Sequence, residues 1–326
     1  MNETVIIEST TSSPFIPAPC RFKCVPAVLI VAYARPANLL QILSILEPLE
    51  LKIYLFVDAS NGEHQELNTK TVKIAREVEA KKGIKVNVSS RNLGVGKAVP
   101  AGINWAFEHE DELFILEDDC IPSVDFFDYV RRFRKYLNPE IRMISGINLI
   151  PQSKRITNPG VSSLSSYPSI WGWFTNAESW HFLIMYNERL PSPMTIIGSF
   201  FRRPSKILSI SFFYAACIRV YKEQTAAWDC QVALAMLIHN YSSIIPSRNM
   251  IQNIGADAVS SHDMTFDTSP SNVVARFELD TFEAENELDT DKKNQNDHLL
   301  EREVYKIHVR HILSPLKSWI SKGRFH

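Results

Sequence analysis

The chain has 326 residues, 45% hydrophobic and 22% charged, which is enough apolar content to fill one large core or two smaller ones and excludes a disordered polymer. Lys+Arg 35 against Asp+Glu 36 leave a formal net charge of -1, so no global field recruits nucleic acid and any basic surface is local. Cys20, Cys24, Cys120, Cys217 and Cys230 form an odd set without CxxC spacing, which predicts free thiols in a reducing compartment.

The first residues, MNETVIIESTTSSPFIPAPC, lack the basic start and apolar stretch of a secretory signal. No uncharged apolar run reaches the length of a membrane span, and the nearest, residues 207–221, contains Arg219. The expectation is a cytoplasmic protein that does not cross a membrane.

From residue 25 to about 150, short β-branched runs alternate with amphipathic stretches. This pattern predicts an α/β fold with a mainly parallel sheet flanked by helices. The candidate strands are 25–34, 51–60, 84–90, 112–119 and 142–150, each apolar enough to be buried on both faces. Leu39, Ile42, Leu43 and Leu46 repeat at helical spacing behind Pro36, which suits a first helical turn. Ser123 is placed to cap a helix whose apolar stripe is Phe126, Val130, Phe133 and Leu137.

From 151 to 224 the alternation fades into Ser/Pro-rich loops, a group of aromatics and a helical apolar region around ILSISFFYAACIRVY, where a second substrate's site is expected. Beyond Met264 an acidic, polar stretch gives way to a basic end, read as a separate layer. The expected division is an N-terminal extension (1–24), a catalytic domain (25–265, in halves 25–150 and 151–265) and a linker with a basic amphipathic tail (266–326).

The strongest chemical feature is LFILEDDCIP, an apolar strand that delivers Glu117, Asp118 and Asp119 and stops at Pro122. Adjacent carboxylates repel unless a cation or donors stabilise them, and hard oxygen ligands suit Mg²⁺ or Mn²⁺. Such an ion could bridge the phosphates of a nucleotide diphosphate. The same acids could merely open a helix, but a buried strand directly before them argues otherwise. LGVGKAV is not a phosphate-binding P-loop, because the GxxxxGK[ST] spacing is absent and Ala98 stands at the hydroxyl position.

In order, AYARP (32–36), FVDAS (56–60), RNLGVGKAVPAGINWAF (91–107) and FILEDDC (114–120) resemble the GT-A family of glycosyltransferases, in particular bacterial capsule and lipopolysaccharide sugar transferases. IWGWFTNAESW (170–180), AAWDCQVALAM (226–236) and IIPSRNMIQNIGADAVSSHD (244–263) extend the resemblance to EDD-containing relatives of N-acetylglucosaminyltransferase I, over roughly residues 25–265.

The resemblance implies a GT-A (Rossmann-like) sheet and an inverting transfer of sugar from a nucleotide-sugar donor, expected to be UDP-linked. The acceptor would be a hydroxyl of a glycan or glycolipid in cell-surface polysaccharide assembly. It makes Asp119 the Mn²⁺ or Mg²⁺ ligand, with Glu117 and Asp118 beside the donor, although EDD departs from a strict DxD. Asp229 becomes the general base, against the plain reading of a helix cap for QVALAMLI. Ala32, Tyr33, Arg35 and Asp58 fall near the nucleoside, where a carboxylate can accept the uracil N–H. Asn92, Gly94 and Lys97 fall beside the ribose and phosphates, though Lys97 equally suits a solvated helix start. Trp171, Gly172, Trp173 and Trp228 become a wall for sugar or acceptor, Trp180 is read as core, and His262 becomes a late metal or phosphate ligand.

Two other readings compete: a nucleotide-sugar or glycan-binding protein of the same fold without turnover, and a nucleotidyltransferase, for which Tyr33-Ala34-Arg35-Pro36 is a poor phosphate-grasping loop. In the tail, Lys306, Arg310, Lys317, Lys322 and Arg324 interleave with Ile312, Leu313, Leu316, Trp319 and Ile320. They could rest peripherally on the inner face of an anionic membrane or pack on the catalytic domain, and Pro315 interrupts any long helix.

Overall fold

The computed structural model describes residues 25–187, 189–223, 228–255 and 284–307. The N-terminal extension, Cys20, Cys24, His262 and the tail beyond Ile307 lie outside the described residues.

The first half forms β1 (Ala27–Ala32), α1 (Pro36–Leu46), β2 (Ile53–Val57), α2 (Gln65–Lys82), β3 (Lys85–Val88), α3 (Val95–Phe107), β4 (Glu112–Glu117), a short β5 (Cys120–Pro122), α4 (Val124–Phe133) and β6 (Ile141–Ser145). All five expected strands are present with shifted ends, but β3, at the edge of the sheet, is half-buried to exposed rather than covered on both faces. β1 is buried along its whole length, as a strand covered on both faces requires. α1 opens on Pro36 and buries Leu39, Ile42, Leu43 and Leu46. α4 buries Phe126, Val130 and Phe133, while Ser123 stands at its N-cap without a side-chain capping bond.

The second half contributes β7 (Val161–Ser165), β8 (Trp173–Asn176), α5 (Ala177–Leu183), α6 (Pro193–Arg202), α7 (Ile207–Glu223), α8 (Asp229–His239), β9 (Ser242–Ile245), β10 (Ile251–Asn253), β11 (Glu287–Asp289) and α9 (Lys293–Leu299). Among the described residues, nine strands make one sheet in the order β11-β7-β9-β6-β8-β4-β1-β2-β3. β4, β1, β2 and β3 run parallel, as do β6 with β9 and β7 with β11. β8 lies antiparallel between β4 and β6, and β7 antiparallel to β9. The fold is thus α/β with a mostly parallel mixed sheet flanked by helices. The sheet crosses residue 150 without a break, so the two expected halves share one scaffold.

β1 shows how both faces are covered. Val28, Ile30 and Ala32 pack with Leu39 and Ile42 of α1, while Ala27, Leu29 and Val31 pack with Val99 and Ile103 of α3 and Val232 of α8. The period of two along a strand sends alternate residues to opposite helix layers. Among the described residues, no helix is long and apolar enough to cross a membrane.

Residues 284–307 do not form the separate layer that composition suggests. β11 pairs with β7, and Asn296 and Asp297 of α9 are buried. Asn296 Nδ2 donates to Ser163 Oγ and to the Leu164 carbonyl, while Asp297 accepts from Ser166 N at 2.7 Å and Ser165 Oγ at 3.1 Å. Glu285 accepts from Ser162 Oγ at 2.7 Å. The segment reads as polar because its docking is made of hydrogen bonds.

Lys293 of α9 has its ammonium pushed down to about 8, chiefly by burial, against the attraction of Asp297. A base whose folded pKa lies below its unfolded one destabilises the fold while charged. That penalty is relieved as pH rises from about 8 toward the ordinary lysine value of 10.5, a range in which the unfolded chain binds more protons. The urea midpoint of the wild type relative to Lys293→Met is therefore expected to rise between pH 8 and pH 10, and a falling difference would reverse this sign.

Candidate active site

Parallel pairing puts the ends of β1, β2 and β4 on one edge of the sheet, with Val31 opposite Glu117 and Ala32 opposite Val57. The chain leaves that edge as Tyr33 and Arg35, as Asp58, and as the acidic run, which is where ligands bind in open α/β sheets.

Asp58 is buried at the end of β2. Its carboxylate accepts from Leu93 N at 2.9 Å, Gly94 N at 2.9 Å and Ala59 N at 3.0 Å. Burial raises its pKa, and these backbone donors oppose the rise. Asn92 Nδ2 donates to the Ala59 carbonyl at 2.6 Å. Asp58 and Asn92 together hold the turn in which Gly94, at φ +73°, starts α3. The carboxylate expected to accept a base N–H is thus engaged by the loop of residues 92–94. Lys97 is exposed in the first turn of α3, Ala32 is buried in β1, and the Tyr33 hydroxyl donates to the Glu63 carbonyl at 3.0 Å.

The three acids differ in setting. Asp118 is buried and accepts from Tyr33 N and Arg35 Nη1, both at 2.8 Å. Burial raises its pKa to about 6, with Arg35 pulling the other way. It acts as a strut for the turn after β1. Asp119 is partly open to solvent and lies 3.6 Å from Arg35. Glu117 is pushed well above the usual carboxylate range, first by burial, then by Asp119, Asp118 and Asp229, with Arg35 opposing.

That repulsion brings together two motifs far apart in sequence. Asp229, the first residue of α8, is close enough to load Glu117 with its charge. Burial raises the pKa of Asp229, opposed by backbone donors at the start of α8. Asp229 is not the cap of α8 but its first residue, one position past the N-cap Trp228, and its charge acts on Glu117.

A third motif reaches the cluster through a two-stranded ribbon in which β10 pairs antiparallel with β5, Asn253 opposite Cys120. Ile254 N donates to the Asp119 carbonyl at 2.9 Å, and Gly255 N to Asn253 Oδ1 at 2.9 Å. A Cβ on Gly255 would fall 2.3 Å from Asp119 Oδ2. Gly255→Ala is expected to displace that carboxylate and to weaken any function depending on it by about tenfold or more, with little change in melting temperature. Unaltered divalent-ion and nucleotide-sugar affinity in Gly255→Ala would count against it. Sequence alone gave no reason to single out Gly255, since its neighbour Asp119 comes from a distant strand.

The expected aromatic wall divides. Trp173 is buried, stacks on Trp228 at 6.2 Å between ring centroids and meets Trp180 at 6.0 Å. Trp173, Trp228 and Trp180 pack on one another as buried core residues. Trp171 remains half-buried. Gly172, at φ +69°, packs its backbone against Ile251, which a Cβ would overlap at 2.5 Å, so it anchors the ribbon. The adjoining loops are fixed by residues that no motif marks. Arg155 donates to the carbonyls of Ile150, Asn148 and Ser247, and Asn148 N donates to Asn249 Oδ1 at 2.7 Å.

Among the described residues, no three His, Cys, Asp or Glu side chains converge as a cage for a metal ion. Mg²⁺ is commonly held by one or two carboxylates plus substrate phosphates, so a cage is not required. The partly exposed carboxylate of Asp119, 3.6 Å from Arg35, is a hard-oxygen donor that fits such a shared ion.

No protein-family model matches the chain, and no curated protein does. Solved structures to which it is similar include A197 from STIV, at 14% identity over 51% of this chain and 70% of that one, with a TM-score of 0.26. They also include two structures of the glycosyltransferase GlyE from Streptococcus pneumoniae TIGR4, one of them the apo form, both at 14% identity and a TM-score of 0.31. These cover 68% and 67% of this chain but 45% and 44% of GlyE, so the chain spans under half of GlyE's length.

Proposed function

We propose that this protein is a glycosyltransferase that moves a sugar from a nucleotide-diphosphate donor, UDP-linked in the favoured reading, to a hydroxyl of a glycan or glycolipid. The observation that carries the reading is the acidic run at the end of β4, where Asp118 pairs with Arg35 at 2.8 Å and Asp119 lies 3.6 Å from the same guanidinium, because a departing diphosphate needs charge stabilisation at such a strand end and an inverting displacement needs a base opposite it.

In this reading Asp229 accepts the acceptor's hydroxyl proton as that oxygen bonds to the anomeric carbon. The bond from that carbon to the diphosphate breaks, and the leaving group departs with the electron pair. Burial of Asp229 raises its affinity for a proton, which suits a base. Asp119 would hold a Mn²⁺ or Mg²⁺ ion, which stabilises negative charge on the departing diphosphate. Arg35 and Asp118 keep the turn after β1 in place beneath the donor.

A donor screen with and without Mn²⁺, run on wild type and Asp119→Ala, tests this. Expected are metal-dependent transfer or slow donor hydrolysis, and at least about tenfold weaker donor binding in the variant. Activity indifferent to chelation and to Asp119→Ala excludes the mechanism. Donor binding without turnover across many acceptors would instead indicate a binding protein of this fold.

A further inference from the structure

Helix α6 carries an apolar row that neither the sheet nor the candidate site uses. Ile196 and Ser199 are buried, and Ile196 packs in the cluster that includes Phe213, Val220 and Leu234. Met194, Ile197 and Phe201 lie on the outside, 74%, 42% and 83% exposed. At positions i, i+3 and i+7 they fall within about 60° of arc on a helix of 3.6 residues per turn. Single exposed apolar residues such as Leu40 and Ile156 need no explanation, whereas a row in register on one helix does.

The charge along this stretch is mostly basic. Residues 188–223 carry Arg189, Arg202, Arg203, Lys206, Arg219 and Lys222 against two acids, Glu188 and Glu223, while the rest of the chain holds an excess of acids. Lys206 is buried against Asp297 and Glu301, while Arg189, Arg202, Arg219 and Lys222 are exposed. Arg202 Nη1 lies 3.2 Å from where a Cβ on Gly198 would stand, so the guanidinium folds back along α6 beside the apolar row.

We propose that α6 docks on the surface of an anionic lipid bilayer. Met194, Ile197 and Phe201 enter the boundary between headgroups and acyl chains, and the flanking arginines meet lipid phosphates. A second copy of the chain fits less well. The row exposes on the order of a few hundred Å², against about 800 Å² per partner in a stable interface. A two-fold contact would also set this basic surface against itself. With no helix among the described residues able to cross a membrane, the contact is peripheral.

The test is flotation of the full chain with phosphatidylglycerol/phosphatidylcholine vesicles and with phosphatidylcholine alone. It is run on wild type, on Ile197→Ser/Phe201→Ser and on a chain lacking residues 308–326. Expected is salt-sensitive binding of wild type to the anionic vesicles, reduced at least about tenfold in the double variant at an unchanged melting temperature. Three results overturn the proposal: no binding by wild type, equal binding by wild type and double variant, or loss of binding only on removing 308–326. A concentration-dependent dimer abolished by the double substitution also overturns it, assigning the row to a second copy.

Discussion

Exchanging Asp229 for Asn is expected to lower sugar transfer by about 10²- to 10⁴-fold, the usual contribution of a positioned general base. The donor's affinity should stay within about threefold, because the variant keeps the shape of the side chain and removes only its charge and basicity. Asn at this position can still open α8, so the fold should survive. Removing the charge also relieves Glu117, one of whose repulsive partners is Asp229, so any change in donor binding should be toward tighter association. Steady-state kinetics separate the outcomes: a fall in kcat with KM preserved fits a base, and an unchanged kcat removes Asp229 from the chemistry.

The largest expected effect on stability comes from Asp297→Ala. Asp297 is fully buried, pairs with the Lys206 ammonium at 3.0 Å and accepts from Ser166 N and Ser165 Oγ. Truncating it strips the buried Lys206 of one of its two carboxylate partners and leaves two further donors unsatisfied. Breaking a buried pair in this way costs about 3–5 kcal/mol, which corresponds to a fall in melting temperature on the order of 10 °C. Replacing both members, as Asp297→Leu with Lys206→Met, should cost less than the single change, since the buried ammonium is gone and the carboxylate left without it, Glu301, is partly exposed. A single variant within about 1 kcal/mol of wild type in urea titration would show that Glu301, which accepts from Lys206 at 2.7 Å, suffices.

What the sequence made legible follows from how each part is stabilised. β1, β2 and β4 are apolar runs covered on both faces, and α1 has a proline start and a leucine stripe, so local pattern and tertiary role agree. β7, VSSLS, escaped because its burial depends on Ser162 reaching Glu285 and Ser165 reaching Asp297, partners more than a hundred residues away that no window contains. At the site, carboxylates at a strand end were readable, but their division of labour was not. Asp118 is committed to Tyr33 and Arg35, while Asp119 pairs more loosely with Arg35 and stays partly exposed. Trp173 and Trp228 looked as much like a sugar wall as like core, and only their mutual stacking decides it.

The position of β11 has a practical consequence for anyone cutting this chain. It is the outermost strand beside β7, supplied by a segment that reads as an acidic linker. A fragment ending at residue 265 would uncover the backbone N–H and C=O groups of β7, a ready template for another chain to pair with. Such a piece would be prone to self-association however complete its active-site motifs, and a fragment that keeps the docked segment has to include Leu300, Val304, Tyr305 and Ile307, which pack in the cluster with Phe213.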